Sequence, residues 1–281
     1  MSALATITKP EKRPPIITLC GDAGTGKTSL AASFPNPVFI RAEDGVGRIA
    51  KGIDAPDCFP FVREAEDVLA QLMALLSDKH DYQTLVVDSV TALESFFTAD
   101  ILKRDGRAKT LSTALGGYGA GYDALASMHG RVRKAAGLLN ERKGMTVVFI
   151  AHADLENMRL PDQDDYMRWS LRLSKKSLTH YVDDVDMVGY VRLVSALKGG
   201  EGDRKKIVSN GDRELVCHAT AASVSKNGLG ITEPLDFTIG SNPLAPFIYG
   251  STSTSAATAK PTTKPATTSA AVNIIHDEPE E

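Results

Sequence analysis

The chain has 281 residues, 42% of them apolar and 24% charged. That balance suits a globular core of about 240 residues and excludes a small disulfide-stapled module. Its 32 basic and 35 acidic residues leave a net charge of −3, which excludes a broad, salt-driven nucleic-acid coat but leaves room for a local basic seam.

Residues 1–13 form an N-terminal extension that carries Lys9, Glu11, Lys12 and Arg13 where a secretory segment would be apolar. No run approaches the ~18 apolar residues of a membrane span. Cys20, Cys58 and Cys217 stand far apart, without metal-ligand spacing and odd in number. A cytoplasmic protein without membrane contact is expected.

A first strand is predicted over residues 16–20. It runs directly into Gly21, Asp22, Ala23, Gly24, Thr25, Gly26, Lys27 and Thr28, and a helix over 28–33 follows, with Ser29 in its first turn. Strand, glycine-rich loop and helix in that order make a phosphate loop. The glycines let successive amide N–H groups turn inward around a β-phosphate. The helix start adds partial positive charge. Lys27 reaches the β- and γ-phosphates, and the Thr28 hydroxyl is a ligand for Mg²⁺, so ATP with Mg²⁺ is the expected cofactor pair.

Further strands are predicted over 38–41, 84–88, 146–151 and 187–194, with helices over 64–77 and 122–139. Residues 204–219 read as a hairpin turning at Asn210–Gly211, antiparallel material at the sheet edge. The alternation predicts an α/β fold with a mostly parallel sheet flanked by helices, its core spanning residues 14–250. Residues 251–271 are all Ser, Thr, Ala, Lys or Pro, a composition that predicts a disordered tether. Residues 272–281 end in four carboxylates among the last five positions, either a solubilising end or a docking peptide.

Parallel strands deliver their carboxyl ends to one edge. At that edge Asp88 is the second residue expected to hold the Mg²⁺, through water. Glu43, rather than its neighbour Asp44, is the candidate for activating water, because Ser89 follows Asp88 where many nucleotide-driven motors carry an acid. His152, ending the strand over 146–151, is the candidate sensor of the γ-phosphate.

Two polar connections leave the same edge. The first carries Lys103, Arg104, Arg107 and Lys109, then Tyr118 and Tyr122 on glycine-rich backbone. The second, residues 153–171, carries Arg159, Arg168 and Trp169 among four aspartates. Cations for phosphates and rings for bases make single-stranded nucleic acid the expected ligand. Lys198, Arg204, Lys205 and Lys206 are candidates for insertion into a neighbouring subunit's site.

The phosphate loop 21–28, the phrase 39–44 ending in Glu43 and Asp44, the strand ending at Asp88 and the strand ending at His152 together resemble the core of the RecA-type recombinase ATPases. More narrowly, residues 41–45, 117–119 and 184–190 resemble the short phage-encoded RecA-core proteins of single-strand annealing and recombination. The resemblance implies a RecA-like P-loop NTPase fold, Glu43 as the water-activating acid and His152 where the family usually has glutamine. It implies DNA binding by the two loops, and DNA-stimulated ATP hydrolysis in the host cytoplasm. It also implies a homo-oligomer with the ATP site near a subunit interface, and acidic terminal residues 277–281 that recruit a single-stranded-DNA-binding or annealing protein. A nucleotide-dependent assembly switch and a small-molecule kinase are the alternative readings.

Overall fold

The computed structural model describes residues 3–9, 11–49, 53–162, 164–198 and 206–250. The expected tether (251–271), the terminal peptide (272–281), Arg204 and Lys205 lie outside the described residues. In chain order the elements are β1 (Ile16–Gly21), α1 (Lys27–Ala32), β2 (Pro37–Arg41), β3 (Asp57–Cys58), α2 (Ala65–Ser77), β4 (Thr84–Asp88), α3 (Val90–Asp105) and α4 (Ala120–Lys143). They continue with β5 (Thr146–Met158), β6 (Tyr166–Leu171), α5 (Lys175–Val182), β7 (Met187–Lys198), β8 (Lys206–Val216), β9 (Lys226–Asn227), β10 (Leu235–Phe237) and α6 (Ala245–Tyr249).

The sheet order is β10-β8-β7-β1-β5-β4-β2-β3, with β6 paired to β5 and β9 to β7. From β3 to β7 every neighbour along this path is parallel. β8 and β10 extend the sheet antiparallel at its edge. β1 and β4 are buried along their whole length because both faces of the sheet are covered, as parallel strands require. Side chains alternate between the two faces. Ile16 and Cys20 join Leu85, Val87 and Phe149 in the core under α2, α3 and α4, whereas Ile17 and Leu19 join Val86, Val148 and Leu30 in the core under α1. Among the described residues no helix is long and apolar enough to cross a membrane.

The register sets the site. Gly21 pairs with His152, and Asp88 lies between Arg41 and Ile150, so β1, β2 and β4 end side by side, level with the Ile150–His152 stretch of β5.

Three sequence expectations are corrected. Asn210 and Gly211 are not a hairpin turn but lie inside β8. The register with β7 passes from Leu193↔Arg213 to Ser195↔Ser209, so Asn210, Gly211 and Asp212 bulge opposite Val194. Asn-Gly serves that bulge as well as a turn, because Gly211 takes φ +87°. Residues 153–171 are not a polar loop. β5 runs on to Met158 and pairs antiparallel with β6, where Leu155 faces Trp169 and Glu156 faces Arg168. The interspersed aspartates masked a period of two. Lys103 and Arg104 belong to the last turn of α3, where no helix is predicted, and α4 runs from Ala120 to Lys143, beyond the predicted 122–139 at both ends, with Tyr122 in its first turn.

Candidate functional site

The chain leaves β1 at Gly21, and the loop closes at Gly26, the residue before α1. Gly24 (φ +79°) and Gly26 (φ +99°) take the left-handed conformation that side chains disfavour. Lys27 folds back over the loop: its Nζ donates to the carbonyls of Gly21 at 2.9 Å and Asp22 at 2.7 Å. Burial holds its ammonium below the usual lysine range, while the nearby Asp88 and Glu43 charges pull the other way.

Asp88, 1% exposed, accepts a hydrogen bond from the Thr28 hydroxyl at 2.9 Å. Burial pushes its carboxyl up to about 6, against the Thr28 hydrogen bond. Gly45 comes so close that an added Cβ would stand 2.5 Å from Asp88 Oδ2 and 2.7 Å from Thr28 Oγ1. A hydroxyl and a carboxylate oxygen in a cradle kept open by glycine are hard donors that fit a divalent cation such as Mg²⁺.

A raised carboxylate favours folding when protonated. That contribution is complete below 3.8, the ordinary value, and is lost as pH rises through about 6. Above pH 6 the buried charge therefore opposes folding, by on the order of 2–3 kcal/mol. Asp88→Asn is expected to melt higher than the native chain at pH 7.5 without nucleotide or metal, with the difference shrinking as pH falls through 6. Thermal unfolding across pH checks this, and a variant that melts lower at pH 7.5 would contradict it.

Glu43, two residues past β2, meets His152, which lies within β5 level with the end of β1. The imidazole Nε2–H donates to both carboxylate oxygens, at 3.0 and 3.1 Å. This hydrogen bond, with a second from the Ser89 hydroxyl, holds the Glu43 carboxyl below the usual glutamate range. Asp44 is exposed and accepts the Gly47 N–H at 3.2 Å, a turn contact. Lys27, Thr28, Glu43, Asp88 and His152 line one cleft of about 400 Å³ together with Ala23, Gly24, Gly26, Ser29, Asp44 and Gly45. The cleft is also lined by Ile239, which follows β10 and which no motif in the sequence marked. Gly21, Asp22 and Thr25 complete the loop behind it.

The nucleic-acid candidates separate into two groups. Lys103, Arg107 and Lys109 are exposed, Tyr118 is fully exposed and Tyr122 is partly so, all between the end of α3 and the start of α4. Several other cations have partners: Arg104 pairs with Asp100 at 2.6 Å and Glu66 at 3.3 Å, Arg159 with Asp165 at 3.4 Å, and Arg168 with Glu156 at 3.2 Å. Trp169 stacks on Tyr190, with centroids 5.6 Å apart.

A protein-family profile described as an AAA domain matches residues 13–227. No curated protein matches the chain.

Proposed function

Since the chain belongs to the AAA-domain family, with a P-loop domain able to bind and hydrolyse nucleoside triphosphates, we propose that it is a RecA-like, Mg²⁺-dependent ATPase coupled to single-stranded DNA in phage-type recombination or annealing. The observation that carries this reading is the Glu43–His152 pair. It supports the reading because a carboxylate lining the cleft is hydrogen-bonded to a side chain of β5, the strand that continues into the β5–β6 hairpin.

In the proposed mechanism the Lys27 ammonium leaves the carbonyls of Gly21 and Asp22 for the β- and γ-phosphates. Held by Thr28 and Asp88, Mg²⁺ would offset charge on those phosphates. Glu43 orients the attacking water and takes its proton as the oxygen bonds to the γ-phosphorus and the bond to ADP breaks. His152, shifting from Glu43 toward the γ-phosphate, frees the carboxylate to act.

Coupling has a route in the chain. His152 N–H donates to Thr91 Oγ1 at 3.0 Å, and Ser174 N–H donates to the Glu94 carboxylate at 2.9 Å. The first strand of the β5–β6 hairpin and the N-cap of α5, which follows β6, are thus tied to α3, which starts two residues after Asp88. The other end of α3 leads to Tyr118. In the proposed assembly the ATP site lies near an interface between copies, and the terminal acids recruit a partner.

A second reading has its own support. The paired arginines of the β5–β6 hairpin, together with exposed Leu155 and Met167, suit a protein surface and a nucleotide-dependent assembly switch. ATP turnover with and without single-stranded DNA at low salt separates the two. Stimulation severalfold, lost on combining Tyr118→Ala with Arg107→Ala while ATP binding remains, is the expected result. Absence of stimulation by DNA or RNA of any length would turn the reading to the switch.

A further inference from the structure

The β8 bulge aims a cation at the outside of the phosphate loop. Arg213, the first residue after it to regain register with β7, donates from Nη1 to the Gly211 carbonyl at 2.9 Å and from Nε to the Thr25 carbonyl at 3.2 Å. It packs so close that a Cβ added to Gly26 would stand 3.2 Å from Nε. Arg213 does not line the triphosphate cleft, whereas Gly26 does.

In a trans peptide the C=O and the following N–H point in opposite directions. With the Thr25 carbonyl turned outward to the guanidinium, the Gly26 N–H is directed inward, to the concave side of the loop. We propose that Arg213 is a positioning residue for the nucleotide. It fixes the Thr25–Gly26 peptide so that the loop presents this N–H to the β-phosphate, and it makes the β7–β8 hairpin part of the nucleotide site. The inference rests on the ATP-binding reading above and adds a residue 188 positions away in the chain. The fork geometry calls for arginine, because Nε and Nη1 are fixed in one plane and hold the two carbonyls in set directions, whereas a lysine carries its donors on a single atom at the end of a flexible stem.

The test is the affinity of the full chain for MgATP and MgADP, with steady-state KM and kcat, for the native chain, Arg213→Ala and Arg213→Lys. Loss of one charge-assisted hydrogen bond is expected to weaken nucleotide binding about tenfold. ATP and ADP share the β-phosphate, so both weaken equally, and KM rises far more than kcat falls. Arg213→Lys keeps the charge and remains weakened. Loss confined to ATP would assign Arg213 to the γ-phosphate and overturn the proposal. Native affinity in Arg213→Lys would also overturn it, and this variant decides the matter if Arg213→Ala does not fold. A native chain that binds neither nucleotide would sink the ATPase reading itself; a native chain that binds, with variants that bind equally well, would sink only the role of Arg213.

Discussion

Glu43→Gln is expected to hold MgATP with an affinity within about threefold of the native chain while turnover falls by about 10²- to 10⁴-fold, the usual contribution of a positioned general base. The amide has nearly the shape of the carboxylate and still reaches His152 Nε2, which lies 3.0 Å from Oε1 and 3.1 Å from Oε2. What it cannot do is accept the proton of the attacking water. Binding and hydrolysis should therefore separate in this variant, as followed by calorimetry with ATP and by phosphate release. Asp88 cannot stand in, because it is buried against Thr28. Turnover within threefold of native would move the base to Asp44, which lines the same cleft. A loss of ATP affinity matching the loss of turnover would make Glu43 a binding residue instead.

The parts of the site that the sequence exposed are those where chemistry dictates residue type over a short stretch. Between Gly21 and Thr28 nearly every position is constrained by backbone curvature, phosphate charge or cation coordination, and β1 and α1 flank it as required. Glu43, Asp88 and His152 were legible for a related reason. Asp88 ends β4, Glu43 follows β2 by two residues and His152 follows the buried apolar first half of β5, and parallel pairing carries these points to one edge.

What stayed hidden depends on packing between distant segments. Arg213 and Ile239 come from β8, the strand between β7 and β10, and from the residues after β10, whose approach to the phosphate loop follows from register. The role of Gly45 follows from its closeness to Asp88 and Thr28, two segments far from it in the chain. The strong local signal at Asn210–Gly211 was read as a turn because a bulge and a hairpin make the same demand for positive φ. Charge was the other obstacle. Arg104 and Arg168 look like phosphate ligands in a list of cations, but Asp100 and Glu156 lie beside them in space. Neutralised cations of this kind add little to electrostatic attraction, which concentrates the proposed DNA contact on Lys103, Arg107, Lys109 and Tyr118.

Lys27→Ala should abolish useful ATP binding, with affinity falling by about 100-fold or more, because one side chain carries two tasks. The first is direct hydrogen bonding to the phosphates, where a bond between charged groups contributes about 1.5–3 kcal/mol. The second is electrostatic balance. Among the described residues lining the cleft, Glu43, Asp44 and Asp88 are carboxylates and Lys27 is the one ammonium. Without it the triphosphate must approach three acids with only Mg²⁺ and the loop's amide dipoles to offset them. Its partners in the nucleotide-free protein are the carbonyls of Gly21 and Asp22, and the loss of those two bonds is offset by removal of an ammonium that burial disfavours. The nucleotide-free melting temperature should therefore change little, which distinguishes lost binding from lost folding. Titration calorimetry with MgATP, alongside thermal unfolding without nucleotide, checks both parts. An alanine variant that melts normally and binds MgATP within threefold of the native chain would remove the phosphate loop from nucleotide recognition.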